Sequence, residues 1–133
     1  IVGNSLLTGA GFPMCGEFDL KTCVAMLIMD RLEIGGMKPY FDYFFISEHA
    51  GAAKPAPAFF NYAFRELNEN RSVPILPQET LIIGDSLSSD IAGGLQYGMK
   101  TCYYRRPGAP AAPAGVAYTV TALSEIPALL RLD

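Results

Sequence analysis

The apolar run Leu81-Ile82-Ile83 stops abruptly at Gly84-Asp85, and Ser86, Ser88 and Ser89 follow as residues suited to cap a helix. A short hydrophobic strand that breaks at glycine and acid and then turns into a helix is half of a strand-helix-strand unit. The same punctuation recurs on both sides. Tyr43 to Ser47 is a brief aromatic and β-branched run read as a buried strand, and after it Glu48 to Pro55 reads as a loop. Pro57 suits a first helical turn, and Phe60, Ala63, Phe64 and Leu67 then repeat at i, i+3, i+4 and i+7. Downstream, a helix over about Ser89 to Tyr97 is stopped by Gly98, and Lys100 to Tyr104 forms the next strand. Strands alternating with helices of this length imply βαβ units, a parallel sheet and an α/β fold, in which ligands sit beyond the carboxyl ends of the strands.

Other segments fit the same plan. Leu20, Val24, Leu27, Ile28 and Leu32 share a helical face that ends at Gly35-Gly36. Asn68 to Pro77 and Pro107 to Gly115 are polar or proline-rich and read as surface loops. Tyr118-Thr119-Val120 and Leu123 to Leu132 predict a last strand and helix. The 133 residues fit one domain, expected to span residues 1–133, and a fold of this size buries roughly two-thirds of its unfolded surface.

Half the residues are hydrophobic and 17% are charged, which excludes a disordered polar segment, and no apolar run is long enough to span a membrane. The formal charge is -3 and Arg105-Arg106 is the one basic pair, read as a solvated loop, so no nucleic-acid surface is signalled. Cys15, Cys23 and Cys102 are odd in number and lack a CxxC spacing, so reduced thiols in a cytoplasm are expected. The chain opens Ile1-Val2-Gly3, with no initiator Met and no signal-type run, and an upstream portion is expected.

Asp85 leaves a strand end and Asp90 follows five residues later at a helix start. Two nearby carboxylates repel unless a cation shares the site, and Mg²⁺ is typically held by one or two carboxylates with phosphate oxygens and waters. The helix N-terminus beside them adds amides that attract phosphate. Taken alone, the two acids could equally cap the helix and favour its dipole. Gly93-Gly94 behind them permits close backbone approach, and a lone lysine in Gly51-Ala52-Ala53-Lys54-Pro55 lies about thirty residues upstream, also just past a predicted strand end.

Taken together, Ile46-Ser47-Glu48, Gly51 to Pro55, and Ile82-Ile83-Gly84-Asp85-Ser86-Leu87-Ser88-Ser89-Asp90-Ile91 with Gly93-Gly94 resemble the haloacid dehalogenase (HAD) superfamily, with Tyr40-Phe41-Asp42 ahead of them. The likeness covers about Leu32 to Leu132 and is nearest the nucleotidase-like and phosphoglycolate-phosphatase-like members. It implies a three-layer Rossmann-like core, here incomplete at its N-terminus, and a Mg²⁺-dependent phosphatase of a small phosphorylated metabolite such as a nucleoside monophosphate. By the same resemblance, Lys54 neutralises the transferring phosphoryl group. Asp85 ligates Mg²⁺, and Asp90 supports it through a water on the metal or by fixing Lys54.

The family reaction passes through an aspartyl-phosphate formed on an N-terminal DxD motif. No such motif is present. Phe18-Asp19-Leu20-Lys21-Thr22 has one Asp, no preceding apolar strand, and Lys at the second acidic position, so Asp19 is not read as the nucleophile. The second family motif would fall on Ile1 to Ser5, where Asn4 fits as a phosphate-binding residue but Gly3 replaces the hydroxyl residue. The interval from Asn4 to Tyr40 is longer than the family pattern, and Leu6 to Asp19 reads as an insertion or unrelated sequence. The nucleophile, the central strand that carries it and the substrate-selecting cap are therefore expected outside this chain, leaving Leu81-Ile83 short of a sheet neighbour. Other readings are an inactive HAD-like interaction module, a 2-haloacid dehalogenase that needs no Mg²⁺, and a receiver-type or flavodoxin-like binding domain. His49 reads as an ordinary loop residue, Phe59, Phe60 and Phe64 as core, and Tyr103 and Tyr104 as one buried and one surface residue.

Overall fold

The computed structural model describes Met29 and residues 31–130. Asn4, Asp19, the 6–19 stretch and most of the helix expected over Leu20 to Leu32 lie outside the described residues. The end of that helix is seen: residues 31–34 are helical, Gly36 takes φ 65°, and the Met37 N–H donates to the Leu32 carbonyl at 2.8 Å. Glycine supplies the left-handed conformation that stops a helix, because it has no Cβ to clash there.

Three parallel strands form the sheet in the order β1 (Leu81–Gly84), β2 (Lys100–Tyr104), β3 (Tyr118–Val120). Ile82, Thr101, Cys102, Tyr103 and Val120 are buried along it, as expected of a parallel sheet covered by helices. The second edge of β1 has no partner among the described residues.

Tyr43 to Ser47 differs from its reading as a strand. Ile46 is extended (φ -111°, ψ 133°) and buried, but residues 43–46 join no ladder, and Ser47 already starts a short helix, α1 (Ser47–Ala50). Aromatic and β-branched residues favour the extended backbone; a strand also needs a neighbour to hydrogen-bond, and none lies beside this segment among the described residues. Helix α1 replaces the first part of the expected loop, and Gly51 ends it at φ 68°.

Helix α2 (Pro57–Asn68) begins at the predicted proline and buries Phe59, Phe60 and Ala63. Phe60 and Phe64 stack on Tyr97 with ring centroids 5.1 and 5.4 Å apart, and the Tyr97 hydroxyl donates to Asn61 at 2.7 Å. Phe59, Phe60 and Ile82 form the centre of the core, with Phe45, Ala50, Ala52, Tyr97 and Met99 around it. Truncating an aromatic side chain at such a position typically costs about 3–5 kcal/mol.

After β1 the chain makes a π-helical turn (Leu87–Ile91) that runs into α3 (Ala92–Tyr97), so the helix starts two residues earlier than its sequence reading. Ser86 caps it by accepting from the Ser89 N–H at 3.2 Å, and Gly98 closes it at φ 82°. A Cβ on Gly93 would lie 2.8 Å from the Phe60 ring and 3.1 Å from Pro55 Cα, and one on Gly94 would lie 2.4 Å from Ile82. The glycine pair therefore lets α3 rest directly on β1, α2 and the turn that carries Lys54. A 3₁₀ turn (Leu123–Glu125) and helix α4 (Ile126–Leu130) end the described chain. Among the described residues, no helix is long and apolar enough to cross a membrane.

Candidate functional site

Lys54 and Asp90, thirty-six residues apart, meet where α3 leaves the carboxyl end of β1. Lys54 Nζ lies 2.5 Å from Asp90 Oδ1, and the two side chains are only 9% and 7% exposed. Lys54 stands in a turn whose Lys54-Pro55 peptide is cis, just ahead of α2. Asp90 stands in the π-helical turn, whose geometry folds its carboxylate back under the strand end. Its Oδ2 accepts the Ser86 N–H at a long 3.4 Å, and its own N–H donates to the Ser86 carbonyl at 3.0 Å.

A glycine is required at the strand end. A Cβ on Gly84 would fall 2.4 Å from the Cβ, Cγ and Oδ2 of Asp90, so the carboxylate occupies the space a side chain would need. A buried ion pair is worth keeping only with close geometry, because each charge loses its hydration on burial. Neither partner can be removed without stranding the other.

Asp85, the next residue after Gly84, faces outward. Its carboxylate is 40% exposed, and its Oδ2 lies 2.6 Å from a guanidinium nitrogen of Arg106. The structure thus brings Lys54 to Asp90 and Arg106 to Asp85; among the described residues no ion pair joins Lys54 to Asp85. Arg106, which the sequence places in a solvated loop, is 66% exposed and yet contacts Asp85. No local sequence signal marks it, because register sets the contact: Gly84 pairs with Tyr103 in the parallel ladder, so residues just past Tyr104 reach the same rim as Asp85. Asn4, the predicted phosphate-binding residue, lies outside the described residues. His49 is exposed on α1.

The donor set can be tested against a divalent cation. Asp85 is a half-exposed carboxylate that already attracts a cation, the Arg106 guanidinium. Asp90 has committed Oδ1 to Lys54. No group of three His, Cys, Asp or Glu able to hold a metal occurs among the described residues. One direct carboxylate with a second one nearby suits Mg²⁺, which retains waters and takes substrate oxygens, and does not suit a closed protein cage. The phosphate-attracting amides expected at the helix start are partly used internally, since the Ser89 N–H goes to Ser86.

A parallel α/β sheet with a buried lysine–aspartate pair and an outward acid at the carboxyl end of one strand defines a class: α/β proteins of the kind that bind ligands at the strand ends. The comparisons with known proteins narrow it. Residues 51–122 match the model of the HAD-hydrolase-like family, and the chain belongs to that family. The HAD-hydrolase YfnB of Bacillus subtilis is 35% identical over 98% of this chain and 57% of its own length. The pyrimidine 5'-nucleotidase YjjG of Escherichia coli is 39% identical over 75% of this chain and 43% of its own. A magnesium-bound crystal structure of YfnB superposes with a TM-score of 0.70 at 34% identity, covering 80% of this chain and 45% of that one. The chain thus spans about half the length of the curated relatives it matches.

Proposed function

We propose that the complete polypeptide is a Mg²⁺-dependent phosphohydrolase of small phosphorylated metabolites, with Lys54, Asp85 and Asp90 as its working residues in this chain. The observation that carries the reading is the buried Lys54–Asp90 pair set against the Gly84 backbone, one residue from the exposed Asp85. A charged pair excluded from water is costly, and sites that stabilise transferred phosphoryl groups are places where such preorganised charge acts.

In this reading Asp90 holds the Lys54 ammonium in place, so that little reorganisation is needed when negative charge builds up on a phosphoryl group. Asp85 would hold the divalent cation, which would supply charge neutralisation and orient the phosphate oxygens. Asn4 would add a phosphate contact. The nucleophilic carboxylate is assigned to no residue of this chain, because Asp19 lacks the DxD context.

Relatives named as nucleotidases support nucleoside monophosphates as the first substrates to try, pyrimidine ones foremost. The test is a screen of phosphate monoesters with the full-length protein, with and without Mg²⁺. The reading expects release of phosphate that stops on chelation. A structural likeness to a 2-haloacid dehalogenase from Pseudomonas syringae, TM-score 0.63 at 28% identity, supports including a 2-haloacid in the same screen. Metal-independent release of halide with no phosphatase activity would replace the proposal by that second reading.

A further inference from the structure

We infer that Arg106 is a built-in competitor for the cation site: its guanidinium shares the Asp85 carboxylate with a divalent ion and weakens the hold on that ion. The inference rests on the reading of Asp85 as the metal-holding carboxylate and adds to it a residue that sets the affinity.

Three observations support it. The contact is close and charged, 2.6 Å between Asp85 Oδ2 and the Arg106 guanidinium, and a positive charge held on one oxygen weakens the attraction of the whole carboxylate for a second cation. The backbone is fixed while the side chain is free to exchange. The Arg105 N–H extends the β2–β3 ladder by donating to the Val120 carbonyl at 2.8 Å, which anchors the chain next to Arg106. The Arg106 side chain is 66% exposed, and among the described residues its ion pair is with Asp85. Finally, the neighbouring arginine behaves differently. Arg105 Nε donates to the Ala109 carbonyl at 3.1 Å, within its own loop, and among the described residues it forms no ion pair with Asp85. Two adjacent arginines therefore divide between a loop tie and a carboxylate contact.

An exposed ion pair is weak, so the guanidinium tunes binding and does not block it. Its removal should tighten divalent-ion binding by about two- to fivefold, the range that an exposed pair of this kind supports. Loss of Arg105, equally charged and one residue away, should leave affinity unchanged.

The experiment is a titration of Mn²⁺ into the metal-free full-length protein, followed by calorimetry or by the electron paramagnetic resonance of free Mn²⁺. It compares the wild type, Arg106→Gln, Arg105→Gln and Asp85→Asn, each checked for an unchanged melting temperature without metal. The expected result is binding that Asp85→Asn abolishes, that Arg106→Gln tightens by about two- to fivefold, and that Arg105→Gln leaves alone. Binding that depends on Asp85 but is indifferent to Arg106, or equally sensitive to both arginines, overturns the competitor role and leaves the metal reading standing. Absent Mn²⁺ binding, or binding that survives Asp85→Asn, overturns the metal reading itself and the inference with it.

Discussion

The carboxylate of Asp90 fills the space that a side chain at Gly84 would occupy: a Cβ there would lie 2.4 Å from three of its atoms. The end of β1 and the turn after it are fitted to each other through this contact, and the charge pair with Lys54 depends on it.

Gly84→Ala should therefore be poorly tolerated. The methyl group must push Asp90 off its present position and away from Lys54, because the atoms it meets belong to a short side chain held at both oxygens. Overpacking of this kind costs about 1–3 kcal/mol. Urea unfolding should show the loss as a lower midpoint with an unchanged slope.

The Lys54–Asp90 pair should show strong thermodynamic coupling. Lys54→Met leaves a buried carboxylate unpaired and Asp90→Leu a buried ammonium, and breaking such a pair from one side costs about 3–5 kcal/mol. Replacing both should recover much of that loss, since an apolar pair of similar volume avoids the desolvation. A double-mutant cycle by chemical denaturation measures it; additive single costs would show that the pair is not a unit.

Cys102 should be nearly inert in the folded protein. It is fully buried in β2, and burial foremost, with the negative charge of Glu125 second, pushes its thiol pKa up. A raised folded pKa favours the protonated form, so its contribution to stability is present below the unfolded value, about 8.5, and is lost as pH rises toward the folded value. Iodoacetamide labelling followed by peptide mass mapping should find the Cys102 peptide unmodified at neutral pH and modified on unfolding. Rapid native labelling would contradict the packing described for β2.

Glu125 gives the opposite pH dependence. Its carboxylate accepts the Ala122 N–H at 2.7 Å, the Thr121 N–H at 2.9 Å and the Thr121 hydroxyl at 3.1 Å, and these bonds, Ala122 first, lower its pKa. The contribution is therefore present above the ordinary carboxylate value, about 4.3, and disappears as pH falls through the lower folded one. Glu125→Gln should flatten the acid limb of a melting temperature against pH curve relative to the wild type.

Much of this was readable from residue patterns, for identifiable reasons. Pro57 and the Phe60-Ala63-Phe64-Leu67 spacing marked α2, because both signals are local. Gly98 marked the end of α3 for the same reason. Tyr43 to Ser47 has the composition of a strand but joins no ladder, because pairing depends on a partner strand, which composition does not contain. The early start of α3 follows from the π-helical turn, in which the Ile91 N–H reaches the Ser86 carbonyl at 3.1 Å. Of the charged residues, Lys54, Asp85 and Asp90 stood out by spacing, whereas Arg106 did not. Its contact with Asp85 is set by the β1–β2 register, and register becomes visible only once the strands are paired.

The most direct test of the account is the Mg²⁺-dependent hydrolysis of a nucleoside monophosphate by the full-length protein, measured for the wild type, Lys54→Ala and Asp85→Asn under conditions where each remains folded. The account predicts that each variant loses about 10²-fold or more in kcat, the scale typical of removing one preorganised electrostatic contact. It also predicts that added Mg²⁺ does not restore Asp85→Asn. Turnover in Asp85→Asn equal to the wild type, with or without the metal, would contradict it.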